Sequence, residues 1–132
     1  MTGKRFALYI TANPISRQGQ LSALRFAQAA VDAGHVVTRI FLAGEAVLVA
    51  NAQIDTPSDE PQLQDRWQAL ASQHGSELLL CSAAAQRYGV IGDTEAKAIG
   101  RESNLATGFA ISGLGSLVES ALDCDRVIHF PG

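Results

Sequence analysis

Two thiols open the question of what chemistry this chain can do. Cys81 ends the apolar run Leu78-Leu79-Leu80 and passes directly into Ser82-Ala83-Ala84-Ala85-Gln86, an alanine-rich turn of helix. A thiol at such a strand-to-helix junction faces unpaired backbone N–H groups and the positive end of the helix dipole. Both favour the thiolate, the form that attacks sulfur. The competing reading is a small buried hydrophobe ending a strand, since free cysteine is among the most buried residue types. Cys124 stands between Asp123 and Asp125. Two carboxylates disfavour a neighbouring thiolate, so Cys124 reads as structural. Neither cysteine belongs to a CxxC pair, which removes support for a disulfide framework or a cysteine zinc site.

Other reactive types are weaker. Gly113-Leu114-Gly115 follows an apolar run and opens a helical pattern in the manner of a dinucleotide fingerprint, but Val118 stands where the third glycine belongs. Close packing of a helix start against a sheet is the plainer explanation for these glycines. His35, His74 and His129 are scattered, without the i,i+4 spacing or carboxylate company of a metal site. Asp59-Glu60 and Asp93-Glu95 each sit at a predicted helix start, where carboxylates favour the dipole without any catalytic role. Arg87 and Tyr88 follow Cys81 by about two helical turns. They are either the border of its mouth or surface residues at a helix end.

The elements that position these groups follow from periodicity. Arg5 to Thr11 is nearly continuously apolar, the pattern of a strand buried on both faces. Leu21, Leu24, Ala27 and Val31 then recur at helical spacing between Gln20 and Ala33, and Gly34 ends the helix. His35 to Leu42 is a second strand, followed by a short apolar patch from Ala46 to Ala50. Asn51 to Gln62 lacks a periodic apolar set and reads as a long loop, with Pro61 in the first turn of a helix that carries Leu63, Trp67 and Leu70 and is closed by Gly75. Glu77 to Cys81 is a third strand and Phe109 to Ile111 a fourth. A helix over Leu114 to Leu122 and a last strand, Arg126 to Phe130, complete the chain. Strictly alternating strands and helices predict one α/β domain over residues 1–132, an open, mostly parallel sheet with helices on both faces. Ligands and reactive groups of such sheets collect beyond the carboxyl ends of the strands, where Cys81 falls. The loop from Asn51 to Glu60 is long for an α/β connection and is expected to border the active-site cleft or a subunit contact.

Composition narrows the class. With 132 residues, 47% hydrophobic and 17% charged, the chain can bury a core without disulfide or metal staples. A net charge of -3 with no basic runs disfavours a non-specific nucleic-acid glove. No 18-residue apolar stretch occurs, and Met1-Thr2-Gly3-Lys4-Arg5 leads straight into a strand, so a soluble, cytoplasmic protein without membrane contact is expected.

Several segments together resemble the DsrE family, most closely the cysteine-bearing subunit of the TusBCD sulfur relay. They are Arg5-Phe6-Ala7, Phe26-Ala27-Gln28-Ala29, Gly34-His35, Pro57-Ser58-Asp59-Glu60, Cys81-Ser82-Ala83-Ala84-Ala85, Asp93-Thr94-Glu95-Ala96, Ser112-Gly113-Leu114-Gly115 and Cys124-Asp125-Arg126-Val127. The chain departs from that pattern at Asn13 to Gln18 and after Phe130. The resemblance implies flavodoxin-like layering and a sulfurtransferase whose catalytic Cys81 accepts a persulfide sulfur from an upstream donor and passes it to a TusE-like acceptor. The destination would be the 2-thio group of a tRNA wobble uridine, with tRNA met only indirectly. It further implies TusB-like and TusC-like companions in a heterohexamer, and chemistry that needs no metal or organic cofactor. Two alternatives stay open: a DsrE-type subunit of a DsrEFH complex serving sulfur oxidation, and a non-catalytic assembly subunit in which Cys81 is inert.

Overall fold

In a computed structural model, which describes residues 3–132, the five apolar runs become one sheet. Met1 and Thr2 of the leading segment lie outside the described residues. The strands are β1 (Arg5–Ile10), β2 (Val36–Leu42), β3 (Glu77–Cys81), β4 (Phe109–Ser112) and β5 (Arg126–Phe130), in the spatial order β4-β3-β2-β1-β5. Every neighbouring pair is parallel, so the sheet is wholly rather than mostly parallel. Parallel pairing requires a crossover between successive strands, and the helical segments supply it. These are α1 (Gly19–Asp32), a 3-10 helix (Gly44–Ala50), α2 (Leu63–His74), α3 (Ser82–Arg87), α4 (Asp93–Ile99) and α5 (Gly115–Asp123). No helix among the described residues is long and apolar enough to cross a membrane.

Alternation along the strands divides the interior into two unequal parts. Leu8, Ile10, Ile40, Leu42, Leu78 and Leu80 point to one face and bury Leu24 and Ala27 of α1, Val47 and Val49 of the 3-10 helix, and Leu63, Trp67 and Leu70 of α2. The opposite face holds a small cluster, Phe41, Ala43 and Leu79, against which Tyr9, Cys81 and Leu117 pack. It is covered by α5, lying on β1, β2 and β5.

Two polar devices fasten the sheet and its neighbours. Gln20, fully buried, donates from Nε2 to the carbonyls of Ala12 (3.2 Å) and Ala46 (3.0 Å) and accepts from Trp67 Nε1 at 3.2 Å. It thereby ties the β1–α1 loop, the 3-10 helix and α2 together at a point where unpaired groups would be costly. In β2 the register with β1 slips by one residue, leaving Thr38 unpaired in the ladder. Its hydroxyl instead donates to the Phe6 carbonyl at 3.2 Å, a compensation for the bulge.

The second helix differs from its sequence reading at its start. It begins at Leu63, so Pro61 lies before the first turn, and Asp59-Glu60 belong to the loop instead of capping a helix. Asp65 is the acidic residue of the first turn. Gly75 closes the helix as expected, in the left-handed conformation (φ +73°) that a side chain would resist.

Candidate functional site

Cys81 is the last residue of β3 and the residue on which α3 begins. Its extended backbone (φ −59°, ψ 124°) turns directly into the helix, and no side chain caps the first-turn N–H groups beside it. The thiol is half-buried, unpaired with any cysteine, and at the strand end packs both against the Phe41–Ala43 cluster on the α5 side and against the edge of the larger core. This is the carboxyl edge of the sheet, where parallel sheets gather their ligands.

The β3–β4 register brings a second segment beside it. Cys81 pairs with Ser112, whose hydroxyl is hydrogen-bonded to the hydroxyl of Ser116 in the first turn of α5. Gly113 and Gly115 complete this turn. A Cβ on either glycine would meet nothing within 4 Å, which corrects the sequence-based account of them as close-packing residues. The turn is open above, not pressed against a neighbour. Two of the segments that carry the family resemblance, Cys81–Ala85 and Ser112–Gly115, therefore meet at one place.

Other candidates fall elsewhere. Cys124 ends α5 at the opposite edge of the sheet, and its Sγ and Thr38 Oγ1 share a hydrogen bond of 3.0 Å. The flanking carboxylates have their own partners. Asp125 Oδ2 accepts from the Arg5 backbone N–H at 2.7 Å, and Asp123 Oδ2 pairs with Arg39 at 3.5 Å. Beside these two carboxylates, Thr38 is a direct hydrogen-bond partner of the Cys124 thiol. Arg87 and Tyr88 stand at the far end of α3 from Cys81, exposed. Glu95 accepts from the Gly92 backbone N–H at 3.1 Å, so the Asp93-Glu95 pair is a helix start.

The histidines do not converge. His35 precedes β2 instead of opening it and accepts a hydrogen bond from the Lys4 N–H at 2.9 Å. His74 lies in the last turn of α2. His129 stacks on Tyr9 with ring centroids 4.8 Å apart and shares a 3.0 Å hydrogen bond with Thr11 Oγ1. Among the described residues no three His, Cys, Asp or Glu side chains could together hold a metal ion.

One arrangement escaped the sequence reading. Arg39 in β2 lies within 3.7 Å of Glu77 on β3 and of Glu119 on α5, and within 3.5 Å of Asp123 on α5, while its Nη1 also donates to Ser120 Oγ at 3.3 Å. A lone arginine inside the apolar run Val36 to Leu42 was the available signal. The loop from Asn51 to Glu60, expected to border the active-site cleft or a subunit contact, instead lines a cleft on the α1–α2 face of the sheet that does not include Cys81.

Solved structures share this architecture. The ychN protein of E. coli superposes with a TM-score of 0.76 at 19% identity, covering 98% of this chain and 100% of that one. MTH1491 of Methanobacterium thermoautotrophicum, described as a protein of unknown function, gives 0.69 at 17% identity over 96% and 98% of the two chains. BT1422 of Bacteroides thetaiotaomicron gives 0.59 at 16% identity over 96% and 94%. These likenesses concern the fold. The family model of the DsrE/DsrF-like proteins matches residues 4–130, nearly the whole length, and the chain belongs to that family.

Proposed function

We propose that this chain is a sulfurtransferase subunit of the TusD type, carrying sulfur as a persulfide on Cys81. Members of its family take part in sulfur relay or sulfur oxidation. The observation that carries the reading is the position of Cys81, a free and half-buried thiol at the carboxyl edge of the sheet beside the open Ser112–Gly115 turn.

The chemistry needs little else. The Cys81 thiolate attacks the outer sulfur of a donor persulfide, forming an S–S bond to Cys81 as the donor's S–S bond breaks and its thiolate leaves. An acceptor thiolate, TusE-like, then attacks the outer sulfur of the Cys81 persulfide and releases the Cys81 thiolate. Two exchanges of this kind move one sulfur with no net oxidation, so neither step asks for a metal or organic cofactor. From the acceptor the sulfur would pass to the tRNA wobble uridine, in the cytoplasm.

Assembly belongs to the same proposal. In α5 the buried residue is Ser120, while Leu114, Val118 and Leu122 are 64%, 60% and 81% exposed and, spaced four apart, form one ridge. An amphipathic helix with its apolar side outward suits burial against another subunit, here TusB-like and TusC-like companions in a heterohexamer. The ridge starts at the turn beside Cys81, so the contact would border the site.

The test is mass spectrometry after incubation with a persulfide donor. One added sulfur is expected on Cys81, with onward transfer abolished in Cys81→Ser and retained in Cys124→Ser. Sulfur on Cys124, or normal relay by Cys81→Ser, defeats the proposal. Delivery to a dissimilatory sulfite reductase-linked acceptor in preference to a TusE-like one would assign the chain to the DsrEFH type.

A further inference from the structure

The inner side of α5 carries hydroxyls where a helix lying on a sheet ordinarily carries apolar side chains. Leu114, Val118 and Leu122 face outward, whereas Ser120 is buried and Ser116 half-buried. Burying a hydroxyl is unfavourable unless it is bonded. Ser120 is bonded on both sides: its Oγ accepts from Arg39 Nη1 at 3.3 Å and donates to the Ser116 carbonyl at 2.9 Å. Ser116 is bonded through its hydroxyl to Ser112 alone. Two hydroxyls bring two protons, and a single bond between them uses one. Among the described residues these two hydroxyls make no other hydrogen bond, so one O–H is left to donate.

That O–H stands beside Cys81. Ser112 is the register partner of Cys81 across β3 and β4. Leu117, the neighbour of Ser116, packs on the same Phe41–Ala43–Leu79 cluster as Cys81, so the first turn of α5 lies on the thiol's side of the sheet. Neighbouring strands are about 4.8 Å apart. An S–S bond is about 2.05 Å long, so a second sulfur carried on Cys81 reaches well into the space toward β4. Above that space the turn is open, because Gly113 and Gly115 have nothing within 4 Å of where a Cβ would stand.

We infer that Ser112 is a second catalytic residue of the transfer, with Ser116 as the positioning residue behind it. The Ser112 hydroxyl, held by Ser116, hydrogen-bonds the outer sulfur of a Cys81 persulfide and fixes it below the open Gly113–Gly115 turn, where an acceptor thiolate enters. The inference rests on the persulfide reading of Cys81. In the step itself the acceptor thiolate forms an S–S bond to the outer sulfur, the bond from that sulfur to Cys81 Sγ breaks, and its electron pair remains on the Cys81 thiolate. Ser112 keeps its proton throughout. Its hydrogen bond passes from the departing sulfur to the Cys81 thiolate left behind, so the same group steadies both the reactant and the leaving group.

The test loads the full chain with glutathione persulfide, removes the excess, and follows loss of the added sulfur from Cys81 to β-mercaptoethanol by mass spectrometry. Wild type and Ser112→Ala should load one sulfur alike, and Ser112→Ala should release it about five- to ten-fold more slowly, the effect of one hydrogen bond. Ser112→Thr and Ser112→Val have the same shape and differ in the hydroxyl, so the Thr variant should transfer faster than the Val variant by a similar factor. Ser116→Ala, which frees Ser112 from its hold, should slow transfer about two-fold. Equal rates in the Thr and Val variants, or a wild-type rate in Ser112→Ala, would overturn the inference while wild-type loading and transfer leave the persulfide reading standing. Failure of wild-type Cys81 to take up sulfur would overturn both.

Discussion

Cys81 on β3 and Ser112 on β4 are register partners across a parallel pair, so their side chains stand side by side on the α5 face of the sheet. Nothing in their sequence separation foreshadows this contact. A larger, β-branched residue at Ser112 keeps the strand but encroaches on the thiol. In Ser112→Val, alkylation of Cys81 by a bulky maleimide should slow several-fold, while Cys124 reacts as before. Loss of the hydroxyl bond to Ser116 should cost about 0.5–1.5 kcal/mol in stability. Unchanged Cys81 kinetics in a folded variant would show that access does not run past Ser112.

Cys124 is held by a different neighbour, the bulged Thr38. Thr38→Val removes that bond and its companion to the Phe6 carbonyl. The expected result, read by peptide mapping after timed iodoacetamide treatment of the native protein, is faster labelling of Cys124 with Cys81 unaffected.

Stability rests on the buried amide of Gln20. Gln20→Leu preserves volume roughly but leaves Trp67 Nε1 and the carbonyls of Ala12 and Ala46 without that partner. A loss of about 2–4 kcal/mol is expected, measurable by urea unfolding with Trp67 fluorescence as the signal. A loss under about 0.5 kcal/mol would mean that water or a neighbour replaces the amide without penalty.

The α5 ridge offers the cleanest separation of assembly from folding. Changing Leu114, Val118 and Leu122 together to Gln removes apolar area that is already exposed in the single chain. The thermal midpoint should therefore move by only a few degrees. Affinity for the companion subunits should fall at least about 30-fold, as judged by light scattering of the co-expressed mixture, if the three side chains are buried in the contact.

Local sequence decided the elements because their signals are local. Apolar runs too short for helices marked the strands, and apolar residues spaced four and then three apart, Leu63, Trp67 and Leu70, with Gly75 beyond them marked α2. The position of Cys81 at a strand end and helix start was equally legible, since it depends only on its immediate neighbours. The boundary at Pro61 was not, because proline favours both a first turn and the loop before it, and the loop's anchoring through Gln62 and Gln64 involves carbonyls that sequence spacing does not reveal. Strand order, the Cys81–Ser112 contact, the quartet around Arg39 and the outward ridge of α5 arose only in three dimensions. Each depends on which strands lie side by side and on which face a crossover packs. Those choices are made by the summed burial of distant side chains such as Leu8, Ile40 and Leu80, and no single segment carries that information.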